Sequence, residues 1–168
     1  MKLKTLFAAL TALFSTSLMA REPLSVGEAA PALKVTTDDG SSVDLAKVYE
    51  SGVTLVYFYP KADTPGCTKQ ACSLRDAYEG LQDAGVTIFG VSMDSVADQA
   101  AFKEKYNLPF SLIADTEGAL VEAFGVPTRG KFVSRQAFLI KGGKVAWLDF
   151  KASTAQQAAD VKEALASL

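Results

Sequence analysis

Apolar and polar positions along this chain fall into two kinds of block. Residues 53–59 (VTLVYFY) and 86–92 (VTIFGVS) are apolar, β-branched or aromatic almost throughout. That is the pattern of strands buried on both faces. Shorter blocks at 33–37 and 110–114 read as further strands, and 137–140 with 145–150 flank Gly142-Gly143, a hairpin signal. Helical repeats lie between them. One runs over 65–84 and stops at Gly85, one over 95–106 is broken by 107–109, and one over 117–124 ends at Gly125. A last helix opens at Thr154, where Gln157 completes a capping box. Residues 43–49 read as a short helical turn, and 21–32, with two prolines, as a surface segment. Asp38-Asp39 and Lys103-Glu104-Lys105 read as solvated charge, and Trp147 as strand packing. Strands alternating with helices predict one α/β domain over 21–168, with helices flanking a mixed central sheet. The terminal hairpin counts against an all-parallel, flavodoxin-like sheet.

The first twenty residues do not belong to that pattern. Lys2 and Lys4 precede the apolar run 6–14 (LFAALTALF), and small residues lead to Ala20, the arrangement of a secretory signal over 1–20. The run is far short of the ~20 residues a membrane span needs. An N-terminal core helix is the competing reading. Export places the cysteines where disulfides form. The expected location is outside the cytoplasm, the periplasm if the cell is Gram-negative, with no membrane attachment after cleavage.

Composition narrows the chemistry. Hydrophobic residues make up 49% of the 168, enough for one core, and the net charge of −2 argues against a nucleic-acid partner. With no histidine there is no Ser-His-Asp or Cys-His triad and no histidine base. Two cysteines without histidine cannot close a Cys/His zinc site or hold a cubane cluster within one chain.

Those two thiols lie in the segment 57–75, YFYPKADTPGCTKQACSLR. Thr64 suits the N-cap and Pro65 the first helical position, so Cys67 falls in the first turn. Unpaired N–H groups and the helix dipole there favour a thiolate. The Thr64 hydroxyl comes within reach of the sulfur or of an oxygen bound beside it. Cys67, Ala71, Leu74, Tyr78 and Leu81 form an apolar stripe, whereas Cys72 keeps company with Arg75, Asp76 and Glu79. Five residues apart on an intact helix, the two Cα atoms stand roughly 8.6 Å from each other. A disulfide tolerates about 7 Å. Bond formation between them therefore requires the helix to unwind, which suits a catalytic cycle better than a static cross-link. A structural disulfide and an isolated buried thiol stay open on spacing alone.

The run from Pro60 to Cys67 carries the pattern Pro-x-x-x-Thr-x-x-Cys, and with its flanks it resembles the peroxiredoxins of the Q, or bacterioferritin-comigratory-protein, subfamily. The resemblance implies a thioredoxin fold and a thiol peroxidase acting on hydrogen peroxide or organic hydroperoxides. It implies Cys67 as the attacking cysteine and Cys72 as the resolving one. Thr64 would bind the peroxide and Pro60 would shield the site from water. An arginine before a Phe-Leu-Ile strand would stabilise the thiolate; here that is Arg135, with Arg129 as the nearest alternative. No cofactor is implied, and the partner would be a thioredoxin-like dithiol reductant. A monomer or weak dimer is expected. Residues 125–134 are shorter than the aromatic-rich loop common in that group. The match of 125–131 to a phosphate-binding loop lacks its final Ser/Thr and a preceding strand.

Two rivals share these residues. A thiol–disulfide oxidoreductase of the same fold would use C-x-x-C rather than this wider spacing. A binding domain with a permanent cross-link would have no redox cycle.

Overall fold

The computed structural model describes residues 23–168, so the leader predicted over 1–20 lies outside the described residues. Strand β1 (Lys34–Thr36) pairs antiparallel with β2 (Ser42–Asp44), and α1 (Leu45–Val48) follows, its first turn capped by the Asp44 carboxylate. Next come β3 (Val53–Phe58), α2 (Pro65–Asp76), α3 (Tyr78–Asp83), β4 (Val86–Ser92), α4 (Val96–Tyr106), β5 (Ser111–Ala114) and α5 (Ala119–Ala123). A small hairpin, β6 (Thr128–Arg129) with β7 (Phe132–Val133), leads to β8 (Gln136–Lys141), β9 (Lys144–Asp149) and α6 (Gln157–Leu165).

The main sheet has the order β5-β4-β3-β8-β9. β3 pairs parallel with β4, and β4 with β5, while β8 runs antiparallel to both β3 and β9. This is the mixed sheet expected from the pattern, in the thioredoxin arrangement. The strand period of two divides β3 between two cores. Leu55, Tyr57 and Tyr59 face α2, α4 and α6, where they meet Cys67, Ala71, Leu74, Phe102 and Val161. Val56 and Phe58 face the other way, against Phe89, Phe124 and Phe138. Register sets the site: Phe58 lies opposite Gln136, so the loop leaving β3 emerges beside the residue that precedes β8, Arg135.

Both sheet edges are covered, as exposed strand edges invite unwanted pairing. Residues 27–30 bond to β9 and its turn, through Gly27 N to Val145 O at 2.8 Å and Ala30 N to Gly143 O at 2.9 Å. The supposed surface segment thus closes an edge and buries Leu24. At the opposite edge Asp38 is buried, against the solvated reading. Its carboxylate accepts from Leu112 N at 2.7 Å and pairs with Lys103 at 2.8 Å, so charge cancels where β5 needs an acceptor. Lys103 and Lys105 are both engaged rather than free, Lys105 with Asp63.

Two helices also differ from the prediction. The helix expected over 65–84 breaks at Ala77, whose N–H turns to Arg75 O, and α3 then carries Tyr78 against Phe110 and buries Leu81 completely. Tertiary packing of those two side chains overrides a straight continuation. The capping box at Thr154 does not form. Helix α6 starts at Gln157, whose side chain is committed to Gln70 and so does not reach back to Thr154, and the Ser73 hydroxyl accepts from Ala158 N at 3.2 Å. The phosphate-loop look-alike at 125–131 is part of the β6–β7 hairpin, with no following helix.

Candidate active site

The loop that joins β3 to α2 is built by proline chemistry and by three anchors. Thr64 precedes a proline and so is held extended, φ −91° and ψ 153°, which ends the loop and opens α2. Its carbonyl accepts the first helical bond from Thr68 N at 2.8 Å. Its hydroxyl, however, makes no capping bond and instead donates to Lys61 O at 3.0 Å. Ala62 N donates to Asp94 at 2.7 Å, and Asp94 is itself held by the Ser92 hydroxyl. Asp63 adopts φ 56°, a left-handed conformation that costs energy for any residue with a Cβ. Its carboxylate holds that shape by pairing with Lys105 at 2.7 Å and accepting from the Tyr106 hydroxyl at 2.6 Å. Bonding to Lys105, then to Tyr106, keeps the Asp63 carboxyl below its usual range. Pro60, half-buried, ends β3 at the foot of this loop.

Cys67 sits in the first turn of α2 with 1% of its surface exposed. Arg135 Nη2 lies 3.4 Å from its sulfur. The same guanidinium donates through Nη1 to Gln70 Oε1, one helical turn further along α2. Gln70 Nε2 in turn donates to Gln157 Oε1 at 2.7 Å. Gly66 makes room for this arrangement: a Cβ there would stand 3.2 Å from Arg135 Nη2 and 3.6 Å from the Thr154 methyl. Tyr57 fills the space beneath. Its ring crosses Gly90, where a Cβ would fall 2.6 Å from the phenol oxygen. Burial above all, then the neighbouring Tyr59 and Cys67, push its ionisation well up against the pull of Arg135, so the phenol stays neutral.

Cys72 is half-buried and free, as Cys67 is free, and both lie within the single helix α2. Near Cys72, Arg75 is tied to Asp76 at 2.8 Å and to Tyr106 O at 2.8 Å. The structure therefore brings Cys67 and Arg135 into contact and leaves Cys72 further along the helix. Arg129 is exposed on β6. Gln70 and Gly66 were not singled out from the sequence, and Gln157 was read only as part of a helix cap, not as a residue of this site. Gln70 had a legible signal, since a polar residue three after Cys67 falls on the apolar stripe. Gln157 had none, because only the packing of α6 on α2 brings it here.

Such a thiol, facing a guanidinium at a helix start, can be presented as an anion to an electrophilic oxygen. Comparison with known proteins agrees in kind. Residues 26–148 match the model of the AhpC/TSA family. A relative from Coxiella burnetii named as a putative peroxiredoxin bcp is 43% identical over 124 residues, 70% of this chain and 82% of that protein. A rice chloroplast peroxiredoxin Q is longer, and its match spans 58% of it and 74% of this chain, at 41% identity. Among solved structures, peroxidoxin BcpB of Mycobacterium tuberculosis superposes with a TM-score of 0.79 at 29% identity, over 85% of this chain and 97% of that one. With the fold, the helix-start cysteine and these relatives in agreement, the chain belongs to the AhpC/TSA family, alongside its peroxiredoxin Q and Bcp members.

Proposed function

We propose that this thiol-dependent peroxidase reduces hydrogen peroxide and organic hydroperoxides with Cys67 as the attacking thiol and Cys72 as the resolving one. The contact that carries the reading is Arg135 Nη2 at 3.4 Å from the Cys67 sulfur, at the N-terminus of α2. The Cys67 thiolate attacks one peroxide oxygen, the O–O bond breaks, and the departing oxygen takes a proton to leave as water or alcohol. Cys67 is then a sulfenic acid. Arg135 steadies the anionic sulfur and the oxygen under attack. Thr64 turns its hydroxyl from the Lys61 carbonyl to the incoming peroxide, and Pro60 keeps bulk water from the sulfur. Cys72 next attacks the sulfenic sulfur, water leaves, and an intramolecular disulfide forms. A thioredoxin-like protein dithiol restores both thiols and is itself oxidised. No cofactor takes part.

The cycle needs α2 to open, because an intact helix holds the two Cα atoms about 8.6 Å apart. We further propose that residues 1–20 direct export and are removed near Ala20, so that the enzyme works as a monomer or weak dimer outside the cytoplasm, in the periplasm if the cell is Gram-negative. The charged start, apolar run and small residues before Ala20 support this. Peroxide consumption by residues 21–168 with a thioredoxin regenerating system tests the reaction. Disulfide exchange without peroxide consumption would instead mark a thiol–disulfide oxidoreductase. Mass analysis of the chain recovered from a cell envelope fraction tests the leader, and an intact Met1 there would overturn it.

A further inference from the structure

We propose that Gln157, on the last helix, is a positioning residue that fixes which way the Gln70 amide faces and thereby aims Arg135 at Cys67. This rests on the peroxidase reading above and extends it to a part of the chain far from the cysteines in sequence.

Hydrogen-bond polarity sets the direction of these contacts. A guanidinium has only donors. Arg135 gives one N–H to the Cys67 sulfur and another to Gln70, so Gln70 must present its carbonyl oxygen to Arg135. The Gln70 NH2 then points the other way and needs an acceptor. It finds Gln157 Oε1 at 2.7 Å. Gln157 must therefore present its oxygen too, which leaves its own NH2 turned away. That group is buried and has no partner among the described residues. An unpaired buried donor is costly, and here the direction of the whole chain, set by Arg135, places the cost at its far end. Gln70 and Gln157 are each fully buried, so bulk solvent does not reach their amides. The backbone near Gln157 is fixed by the same helix pair, through Ala158 N to the Ser73 hydroxyl at 3.2 Å. If the Gln70 amide swung round, an NH2 would face the guanidinium, donor against donor. Arg135 would then lose the second of the two bonds that orient it.

A double-mutant cycle tests this role of Gln157. In Gln157→Met, similar in volume but without the acceptor, reaction of Cys67 with peroxide should slow about tenfold, the equivalent of roughly one hydrogen bond to a charged system. Iodoacetamide alkylation of Cys67 should slow as well, its pH profile moving to higher pH. A Glu at position 70 offers oxygen on both sides and needs no orientation. In the Gln70→Glu background Gln157 can turn its NH2 inward without affecting which atom faces Arg135, and adding Gln157→Met should shift the alkylation profile far less than it does in the wild-type background. An equal loss in both backgrounds would mean that Gln157 acts by packing only and would overturn the proposal. So would an unshifted alkylation profile in Gln157→Met. Should Gln157→Met fail to fold, the wild-type protein supplies the test by NMR. The Gln70 side-chain NH2 should exchange slowly in the reduced state, and exchange at the solvent rate would overturn the relay. Alkylation uses no peroxide, so a chain inert to peroxide would refute the peroxidase reading while the profile still judges Gln157.

Discussion

The two ends of α2 treat their cysteines in opposite ways. At the N-terminal end Cys67 is enclosed, touched by Arg135, and backed by a chain of side chains reaching to α6. Five residues on, Cys72 is half-exposed, and the nearby arginine, Arg75, is occupied by Asp76 and the Tyr106 carbonyl. The difference teaches that one helix can hold two thiols in unlike surroundings, one enclosed beside a guanidinium and one half-exposed, separated by helix geometry alone. The helix is also fastened at both ends to the same place. Asp63, just before it, and Arg75, near its end, both bond to the last residues of α4.

The sharpest way to break the comparison is to remove each sulfur in turn. Cys67→Ser should abolish peroxide reduction, while Cys72→Ser should complete the first turnover and stop with a sulfenic acid that dimedone captures. Mass spectrometry of the trapped adduct decides it, and the reverse pattern would exchange the two roles.

Removing the cation comes next in size. Arg135→Ala should slow the peroxide step about a hundredfold, the scale seen when one charge-stabilising donor is lost. The thermal midpoint should fall by only a few degrees, since the side chain is half-buried and its loss strands one buried acceptor, Gln70 Oε1. A peroxide rate within twofold of wild type by stopped flow would pass the role to another residue.

Oxidation itself should separate the two ends. Shrinking about 8.6 Å to below about 7 Å requires the first turns of α2 to melt. That surrenders several backbone hydrogen bonds of about 1 kcal/mol net each, with the packing of Ala71 and Leu74. Hydrogen exchange over residues 65–74 should be faster in the disulfide form than in the reduced form, and faster at Ala158 too, which loses Ser73 as its cap. Equal or slower exchange in the disulfide form would restore the static cross-link.

The smallest effect concerns the fastening at Asp63. Asp63→Asn removes the charge pair with Lys105, and disulfide formation should quicken about twofold, as befits an exposed pair. The pH dependence has a definite sign. Because the folded-state Asp63 value lies below the ordinary 3.8, the pair contributes fully above that value and is lost as pH falls through the lowered one. Wild-type and Asp63→Asn resolution rates, compared by rapid acid quench, should therefore converge at strongly acidic pH and differ at neutral pH. Parallel rates across the whole range would show that Asp63 does not restrain the loop.

Much of this was legible from residues in order. The period-two split of β3, the proline that ends it, and Thr64-Pro65 opening α2 are local rules, and they place Cys67 in the first turn without any tertiary knowledge. The distance between the thiols on a helix is equally local. Arg135 was picked out by resemblance, and the antiparallel register of β8 against β3 supplies the physical reason that it lies beside Cys67. Asp38 was misread because a charged pair in a turn looks solvated until an edge strand in need of an acceptor arrives beside it.

Gln157 marks the boundary between the two kinds of knowledge. By itself the sequence determined the long strands and most of the helices, the α/β class and the place of Cys67 at a helix start, since hydrophobic period, turn residues and helix-end chemistry act over a few residues. The tertiary structure alone decided that a glutamine from the last helix meets Gln70, 87 positions away, and that the loop before α2 is tied to the end of α4. Hydrogen bonds between distant segments depend on which faces the packed helices bring together, and no local pattern records that choice.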